Sequence, residues 1–183
     1  MVFRQYELVI FDFDGTIADL DVDWAALKKE LSEHYGVDIG QISGRLDAFI
    51  DSLPDDDRRA AHKIVERHEM ENISNAKPIA KTIKIIAGLG GRRLAVFTTN
   101  TKAAIEKALN LLGIYDRFEM IVCKEDVRKH KPDPEGLLRI LKATGVPAER
   151  AVYIGDRQKD ADAGEAAGIR TVLVSDLEKE ADG

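Results

Sequence analysis

Five short apolar runs recur along the chain, and each of them ends in polar residues. Between most of them lie longer stretches in which apolar residues recur every three or four positions, as in amphipathic helices. Buried strands that alternate with helices indicate a parallel sheet with both faces covered. The sequence therefore predicts an α/β protein whose parallel sheet has about five strands, at residues 8–11, 94–97, 121–123, 151–154 and 171–174.

A purely helical block interrupts this alternation after the first strand. Its apolar residues keep a helical spacing through three successive stretches. We therefore expect a Rossmann-like core formed by residues 1–18 and 78–183, with a small α-helical cap domain at residues 19–77. The chain would enter the cap near Asp19 and leave it near residues 75–78. Such a cap would close over the core and exclude water.

Loops after four of the predicted strands carry reactive side chains. In an open parallel sheet, loops at the carboxyl ends of the strands converge on one crevice. These loops supply carboxylates for a hard divalent cation, hydroxyl donors for phosphoryl oxygens and an ammonium charge. This set suits phosphoryl transfer, in which positioning and charge neutralisation do most of the catalytic work. The residues are Asp12, Asp14, Thr98, Thr99, Asn100, Lys131, Asp156 and Asp160.

The chain resembles hydrolases of the haloacid dehalogenase superfamily, and within it the phosphoglycolate-phosphatase branch. Residues 12–16, Asp-Phe-Asp-Gly-Thr, match the first motif of that superfamily, and Thr98 after an apolar strand matches the second. Lys131, in Lys-Pro-Asp-Pro, matches the third motif, and residues 155–160 match the fourth. All four motifs occur in order, and the resemblance covers nearly the whole chain.

The resemblance implies roles for the aspartates. Asp12 would be the nucleophile that forms an aspartyl-phosphate. Asp14 would protonate the leaving oxygen and then activate the water that cleaves the intermediate. The metal would be Mg²⁺, bound by the Asp12 carboxylate, the Asp14 backbone carbonyl and Asp156. Asp160 would orient Lys131 or a metal-bound water.

The resemblance also implies roles for the polar residues after the second and third core strands. Thr98 and the backbone of Thr99 would hold phosphate oxygens, although relatives usually have one Thr or Ser here, so the doubled threonine leaves the register open. Lys131 would neutralise the nucleophile and the phosphoryl group. The nearby Lys124, Lys129 and His130 are expected to face solvent.

Other functions use a similar set of residues. A phosphomutase like β-phosphoglucomutase would use the same aspartates, although the cap-loop pattern associated with that enzyme is not visible. A dehalogenase is disfavoured because halide displacement needs neither a proton donor at Asp14 nor Mg²⁺. A non-enzymatic receiver domain also surrounds a phosphorylated aspartate with carboxylates, a Thr and a Lys. Receiver domains, however, lack both the Asp-x-Asp-Gly-Thr loop on the first strand and a helical insertion after it.

The cap would choose the substrate. A two-carbon acid such as phosphoglycolate would require a cation in the cap for its carboxylate. Arg45, beside Gly44, is the candidate for that contact.

Composition restricts the partners and the location. The formal net charge of −6 argues against binding of nucleic acid or of an anionic membrane surface. No apolar stretch approaches the roughly 18 residues that span a bilayer. The single cysteine, Cys123, cannot form an internal disulfide and fits a reducing cytosol. We therefore expect a cytoplasmic enzyme that acts on a small-molecule phosphate ester, and the sequence predicts no oligomeric state.

Overall fold

The computed structural model describes residue 3 and residues 5–40 and 46–177 of the 183-residue chain. The strands in this part are β1 (Leu8–Phe11), β2 (Ala18–Asp19), β3 (Lys77–Pro78), β4 (Arg93–Phe97), β5 (Met120–Val122), β6 (Ala151–Gly155) and β7 (Arg170–Leu173). The helices are α1 (Trp24–Tyr35), α2 (Leu46–Ser52), α3 (Asp55–Glu71), α4 (Ala80–Gly88), α5 (Lys102–Leu111), α6 (Glu135–Thr144) and α7 (Gln158–Ala166).

The main sheet of the described chain has five strands in the order β5-β4-β1-β6-β7, and every neighbouring pair is parallel. All residues of β1 are buried. Val9 and Phe11 belong to one hydrophobic cluster, whereas Leu8 and Ile10 belong to another. Successive residues of a strand point to opposite faces, so both faces of this strand are covered. Burial on two sides explains the continuous apolar run, and the predicted fold class is confirmed.

The strand order reverses direction at β1. The chain passes from β1 to β4 and β5 on one side of the sheet, and then returns to β6 and β7 on the other. In open α/β sheets such a reversal opens a crevice at the carboxyl ends of the strands, where ligands bind. The fold therefore places the residues that follow β1, β4 and β6 around one crevice.

Helices α1, α2 and α3 form a helical segment between β2 and β3. Leu27 and Leu31 of α1 pack with Ile50 of α2 and Val65 of α3 in a hydrophobic cluster separate from the two clusters on the main sheet. The Asp23 carboxylate accepts hydrogen bonds from two backbone N–H groups in the first turn of α1, which fixes where this helix begins. The segment thus buries its own apolar residues, as a cap domain would.

The chain enters and leaves the helical segment side by side. Ala18 pairs with Pro78, and Asp19 pairs with Lys77, in a two-stranded antiparallel sheet. The sequence places connections at these two positions but gives no signal for their pairing. Because the two strands are hydrogen-bonded to each other, the segment is attached through one narrow double connection.

Helix α3, the longest described, has 17 residues and is rich in charged side chains. Within the described residues, none of the helices combines the length and hydrophobicity needed to cross a membrane.

Candidate active site

Asp12 follows β1 directly and lies where the strand order reverses. Its backbone N–H donates to the carbonyl of Ile154 in β6, so the sheet fixes its position. Asp14 lies two residues further along the same loop, and its Oδ1 accepts a hydrogen bond of 2.8 Å from the N–H of Leu20. Both aspartates line a cavity of about 560 Å³. The loop after β1 therefore presents two carboxyl groups to the same cavity.

Gly15 allows this loop to approach the loop after β6. Its φ of +79° lies in the left-handed region that glycine adopts without strain. A Cβ at this position would stand 2.4 Å from Oδ2 of Asp156. A side chain at position 15 would therefore displace the Asp156 carboxylate from its place beside the β1 loop.

Lys131 is the buried cation at the centre of the site. Its ammonium lies 2.8 Å from Oδ1 of Asp12 and 2.7 Å from Oδ1 of Asp160, and it donates to the hydroxyl of Tyr153 at 3.0 Å. It also lies over the ring of Phe97, 5.3 Å from the centroid, where the π-electrons favour a cation. Sequence reasoning missed Tyr153 because a tyrosine within an apolar strand gives no signal of a polar role.

The pKa values of the carboxyl groups around this cation shift in different directions. Burial raises the pKa of Asp12 to about 6, against the attraction of Lys131 and with added repulsion from Asp160. Burial acts on Asp160 too, but Lys131 and the hydrogen bonds to Asp160 together lower its pKa. Burial also raises the pKa of Asp14, against the effect of the Leu20 N–H. Both carboxyl groups of the β1 loop thus hold a proton more readily than an ordinary aspartate.

Carboxylate oxygens of Asp12, Asp156 and Asp160 lie within 4.8 Å of one another. Oδ1 of Asp156 is buried and has no hydrogen-bond partner among the described residues, which is costly for a carboxylate. Both oxygens of Asp160 already accept hydrogen bonds, from Lys131 and from backbone N–H groups. Clustered carboxylate oxygens of this kind fit a hard divalent cation such as Mg²⁺. The carboxylate that lies with those of Asp12 and Asp156 is therefore that of Asp160 and not that of Asp14.

The loop after β4 carries the two threonines and Asn100. The hydroxyl of Thr98 is buried and donates to Oδ1 of Asn100 at 2.7 Å. Thr99 and Asn100 line the cavity, and the hydroxyl of Thr99 accepts a hydrogen bond of 3.4 Å from Lys159. The loop therefore has one hydroxyl on the cavity wall and a second that is bonded to Asn100.

Glu69, near the end of α3, anchors this loop to the helical segment. Its carboxylate accepts hydrogen bonds from the side-chain amide of Asn100 at 2.9 Å, from the N–H of Thr101 at 2.8 Å and from the Thr101 hydroxyl. Because an ionised carboxylate only accepts, it turns the NH₂ of Asn100 toward itself and the oxygen toward Thr98. Glu69 is only 2% exposed. Sequence reasoning missed it because it lies in a highly charged helix.

Two side chains that were expected to face solvent are buried, and that prediction was wrong for both. Lys124 is 1% exposed and His130 is 3% exposed, whereas Lys129 is exposed as expected. The N–H of His130 donates to Asp51 of α2 at 2.9 Å, and its ring nitrogen contacts the same carboxylate. The burial of His130 thus comes from a helix far away in sequence. Arg45, the predicted contact for a substrate carboxylate, lies outside the described residues.

The chain matches the model of the haloacid dehalogenase-like hydrolases over residues 9–174, a span that includes all the loops of this site. The chain belongs to that family. The resemblance read from the four motifs is confirmed, and with it the expectation of an enzyme rather than a receiver domain.

Two relatives and one solved structure cover most of the chain. A phosphoglycolate phosphatase of Aquifex aeolicus is 29% identical over 177 residues, covering 91% of this chain and 83% of the relative. An N-acetylmuramic acid 6-phosphate phosphatase of Pseudomonas putida is 26% identical over 181 residues, covering 91% of this chain and 81% of the relative. A HAD-superfamily hydrolase of subfamily IA from Geobacter sulfurreducens superposes with a TM-score of 0.66 at 23% identity, covering 92% and 89%, and supports the fold.

Asp12→Asn should raise the free energy of unfolding of the metal-free protein at alkaline pH. The pKa of Asp12 is about 6 in the folded protein and 3.8 in the unfolded chain. Between these pH values the folded protein binds more protons than the unfolded chain, so the free energy of unfolding falls as the pH rises. Asparagine keeps an oxygen for Lys131 but does not ionise. The gain should be about 3 kcal/mol near pH 8 and less than about 1 kcal/mol near pH 4, as measured by urea unfolding in EDTA.

Asp116→Asn is the matched control, because it removes an exposed carboxylate and should give no such pH-dependent gain. Equal stability of Asp12→Asn and the wild type at both pH values would contradict the raised pKa of Asp12.

Proposed function

We propose that the protein is a Mg²⁺-dependent phosphatase that hydrolyses a small-molecule phosphate monoester through an aspartyl-phosphate on Asp12. The main support is the position of Asp12. It follows the central strand, borders the cavity and bonds to a buried lysine. Two relatives that each match 91% of the chain are named as phosphatases of small phosphate esters, which supports the same class of reaction.

Asp12 is the nucleophile of the first step. One of its carboxylate oxygens forms a bond to phosphorus while the bond between phosphorus and the ester oxygen breaks. Lys131, 2.8 Å from Oδ1 of Asp12, orients the carboxylate and offsets part of the negative charge that gathers there. Asp160 holds the same ammonium from a second direction at 2.7 Å, so Asp160 positions Lys131.

Asp14 is the acid and then the base. Burial raises its pKa, which favours the protonated form that donates to the leaving oxygen. The resulting carboxylate takes a proton from the water that attacks the phosphorus of the aspartyl-phosphate. That attack releases inorganic phosphate and restores Asp12. The N–H of Leu20 bonds to Oδ1 of Asp14, and Oδ2 has no hydrogen bond among the described residues.

Asp12, Asp156 and the backbone carbonyl of Asp14 are the proposed ligands of Mg²⁺. A bound Mg²⁺ neutralises charge on the carboxylates and on the phosphoryl oxygens. The buried, unpartnered oxygen of Asp156 supports its place among the ligands.

Thr98 and Thr99 are proposed to hold phosphate oxygens. The Thr98 hydroxyl would exchange its hydrogen bond to Asn100 for one to phosphate, and the N–H of Thr99 would donate to a second oxygen. The anchoring of this loop by Glu69 supports the proposal, because a fixed loop loses little entropy when it binds phosphate.

Residues 19–77 are proposed to act as a cap domain that chooses the substrate. Trp24, Lys28 and Asp47 of this segment line the same cavity as Asp12. A volume of about 560 Å³ suits a small molecule. The named substrates of both relatives combine a phosphate ester with a carboxyl group, so we propose a phosphoglycolate-like substrate.

The cytoplasm is the proposed place of action. Cys123 is buried and unpaired, and burial raises the pKa of its thiol. A packed, unreactive thiol is compatible with a reducing compartment.

Purified wild-type protein with Mg²⁺ should release inorganic phosphate from members of a panel of small phosphate esters. Asp12→Asn should abolish this release, because an amide does not attack phosphorus, whereas Asp116→Asn should retain it. Net release of phosphate also separates a phosphatase from a phosphomutase, which returns the phosphoryl group to its sugar. Residual turnover above about a few per cent in deamidation-free Asp12→Asn would contradict the role of Asp12.

Thr98→Val should reduce kcat by roughly 10²-fold, the usual effect of losing one transition-state donor. Thr99→Val should cost less, because only the backbone of Thr99 is proposed to hold phosphate. Steady-state kinetics on the best ester of the panel measure both losses, with melting temperatures to confirm folding. A greater loss for Thr99→Val would move the phosphate-binding hydroxyl to Thr99.

Mg²⁺ should stabilise the wild type by about 2.7 kcal/mol at a hundredfold excess over its dissociation constant, because it binds the folded site and hardly binds the unfolded chain. The melting temperature should then rise by roughly 5–10 °C. Asp156→Asn should lose most of this gain, while its melting temperature in EDTA should equal or exceed that of the wild type. A wild type that gains nothing from Mg²⁺ would contradict the proposed metal site.

A further inference from the structure

Lys124 brings a buried positive charge to the wall of the active-site cavity. It lies two residues after β5, and its N–H donates to the carbonyl of Asn100 at 3.1 Å, which places it beside the loop after β4. The residue lines the cavity that contains Asp12 and Asp14, although it is only 1% exposed overall. Lys124 is therefore a cavity residue, and none of the roles proposed above uses it.

The other cations that line this cavity are paired or exposed. Lys159 pairs with Asp47 at 3.1 Å, and Arg157 pairs with Asp156 at 3.3 Å. Lys28 is exposed to solvent. Within the described part of the chain, the ammonium of Lys124 makes no hydrogen bond or ion pair.

Asp47 and Glu125 are carboxylates that act on Lys124 over a longer distance. Although burial opposes its charge, Lys159 and Lys124 together lower the pKa of Asp47. The Asp47 carboxylate accepts its hydrogen bond from Lys159, and it attracts Lys124 without a direct contact. A buried ammonium without a close anion is costly to the folded protein, and a ligand anion would remove that cost.

We propose that Lys124 forms a subsite for a carboxylate of the substrate, so that the enzyme selects phosphate esters that also carry a carboxylate. The proposal rests on the proposed function, since it requires the phosphoryl group to lie at Asp12. The backbone bond to Asn100 sets Lys124 next to the proposed phosphate-binding loop, so a short molecule can reach both. Burial makes the contact effective, because charges attract more strongly where water is excluded.

Two esters of equal length test this subsite. Phosphoglycolate carries a carboxylate where 2-hydroxyethyl phosphate carries a neutral alcohol. Lys124→Met should lower kcat/KM for phosphoglycolate by about 10- to 100-fold, mainly through KM, because a hydrogen bond to a charged group is lost. The value for 2-hydroxyethyl phosphate should change by less than about threefold on the same reasoning. Lys124→Arg should retain part of the preference.

Lys129→Met is the matched control. Lys129 lies on the same loop, but its side chain is exposed and pairs with Asp133 at 3.8 Å, so both esters should be hydrolysed as by the wild type. Melting temperatures establish that the variants fold, and Lys124→Gln replaces Lys124→Met if the latter does not.

Binding separates the subsite from the chemistry. Asp12→Asn should bind phosphoglycolate more tightly than 2-hydroxyethyl phosphate in calorimetry with Mg²⁺, and adding Lys124→Met should remove the difference. Equal losses on both esters in Lys124→Met, or no preference in binding, would overturn the subsite while phosphatase activity stands. A preference in binding without phosphate release by the wild type would overturn the phosphatase function alone.

Discussion

The ammonium of Lys131 lies out of contact with water between the carboxylates of Asp12 and Asp160. Three carboxylates, those two and Asp156, come within 4.8 Å of one another in this site, and like charges at that distance repel strongly when they are buried. Lys131 offsets part of this repulsion, and Asp160 fixes the lysine in turn. Burial, with added repulsion from Asp160, still raises the pKa of Asp12 to about 6. The site therefore gathers carboxylates whose charge a divalent cation would offset.

The helical segment contributes to this site by touching the loops of the core. Glu69 anchors the loop after β4, Asp51 contacts His130 beside Lys131, and Asp47 pairs with Lys159 at the start of α7. The segment also makes apolar contacts with the core, because Leu20 and Ile73 pack in one of the two hydrophobic clusters of the main sheet. The segment is also attached through one narrow double connection. A narrow connection of this kind suits a cap that opens for the substrate and closes before the reaction.

Local patterns in the sequence predict the strands, the helices and the residues at the strand ends, because each is determined by its neighbours in the chain. What the sequence could not show depends on contacts between distant segments. His130 and Lys124 look like surface residues within a charged loop, and His130 becomes buried when Asp51, 79 positions earlier, packs against it. Glu69 and Tyr153 acquire polar roles only from partners on other elements. The assignments of Asp12 and the other predicted site residues stay proposals that rest on this geometry.

Whether Asp12 carries the phosphoryl group during turnover tests the account most directly. In Asp14→Asn the attacking water loses its base, whereas p-nitrophenolate leaves readily without a proton. Rapid mixing of this variant with p-nitrophenyl phosphate and Mg²⁺ should give a burst of nitrophenolate stoichiometric with the protein. Borohydride reduction and peptide mass spectrometry should then find homoserine at position 12. A reaction without a burst and with Asp12 unmodified, or a phosphoryl group on any other residue, would contradict the account.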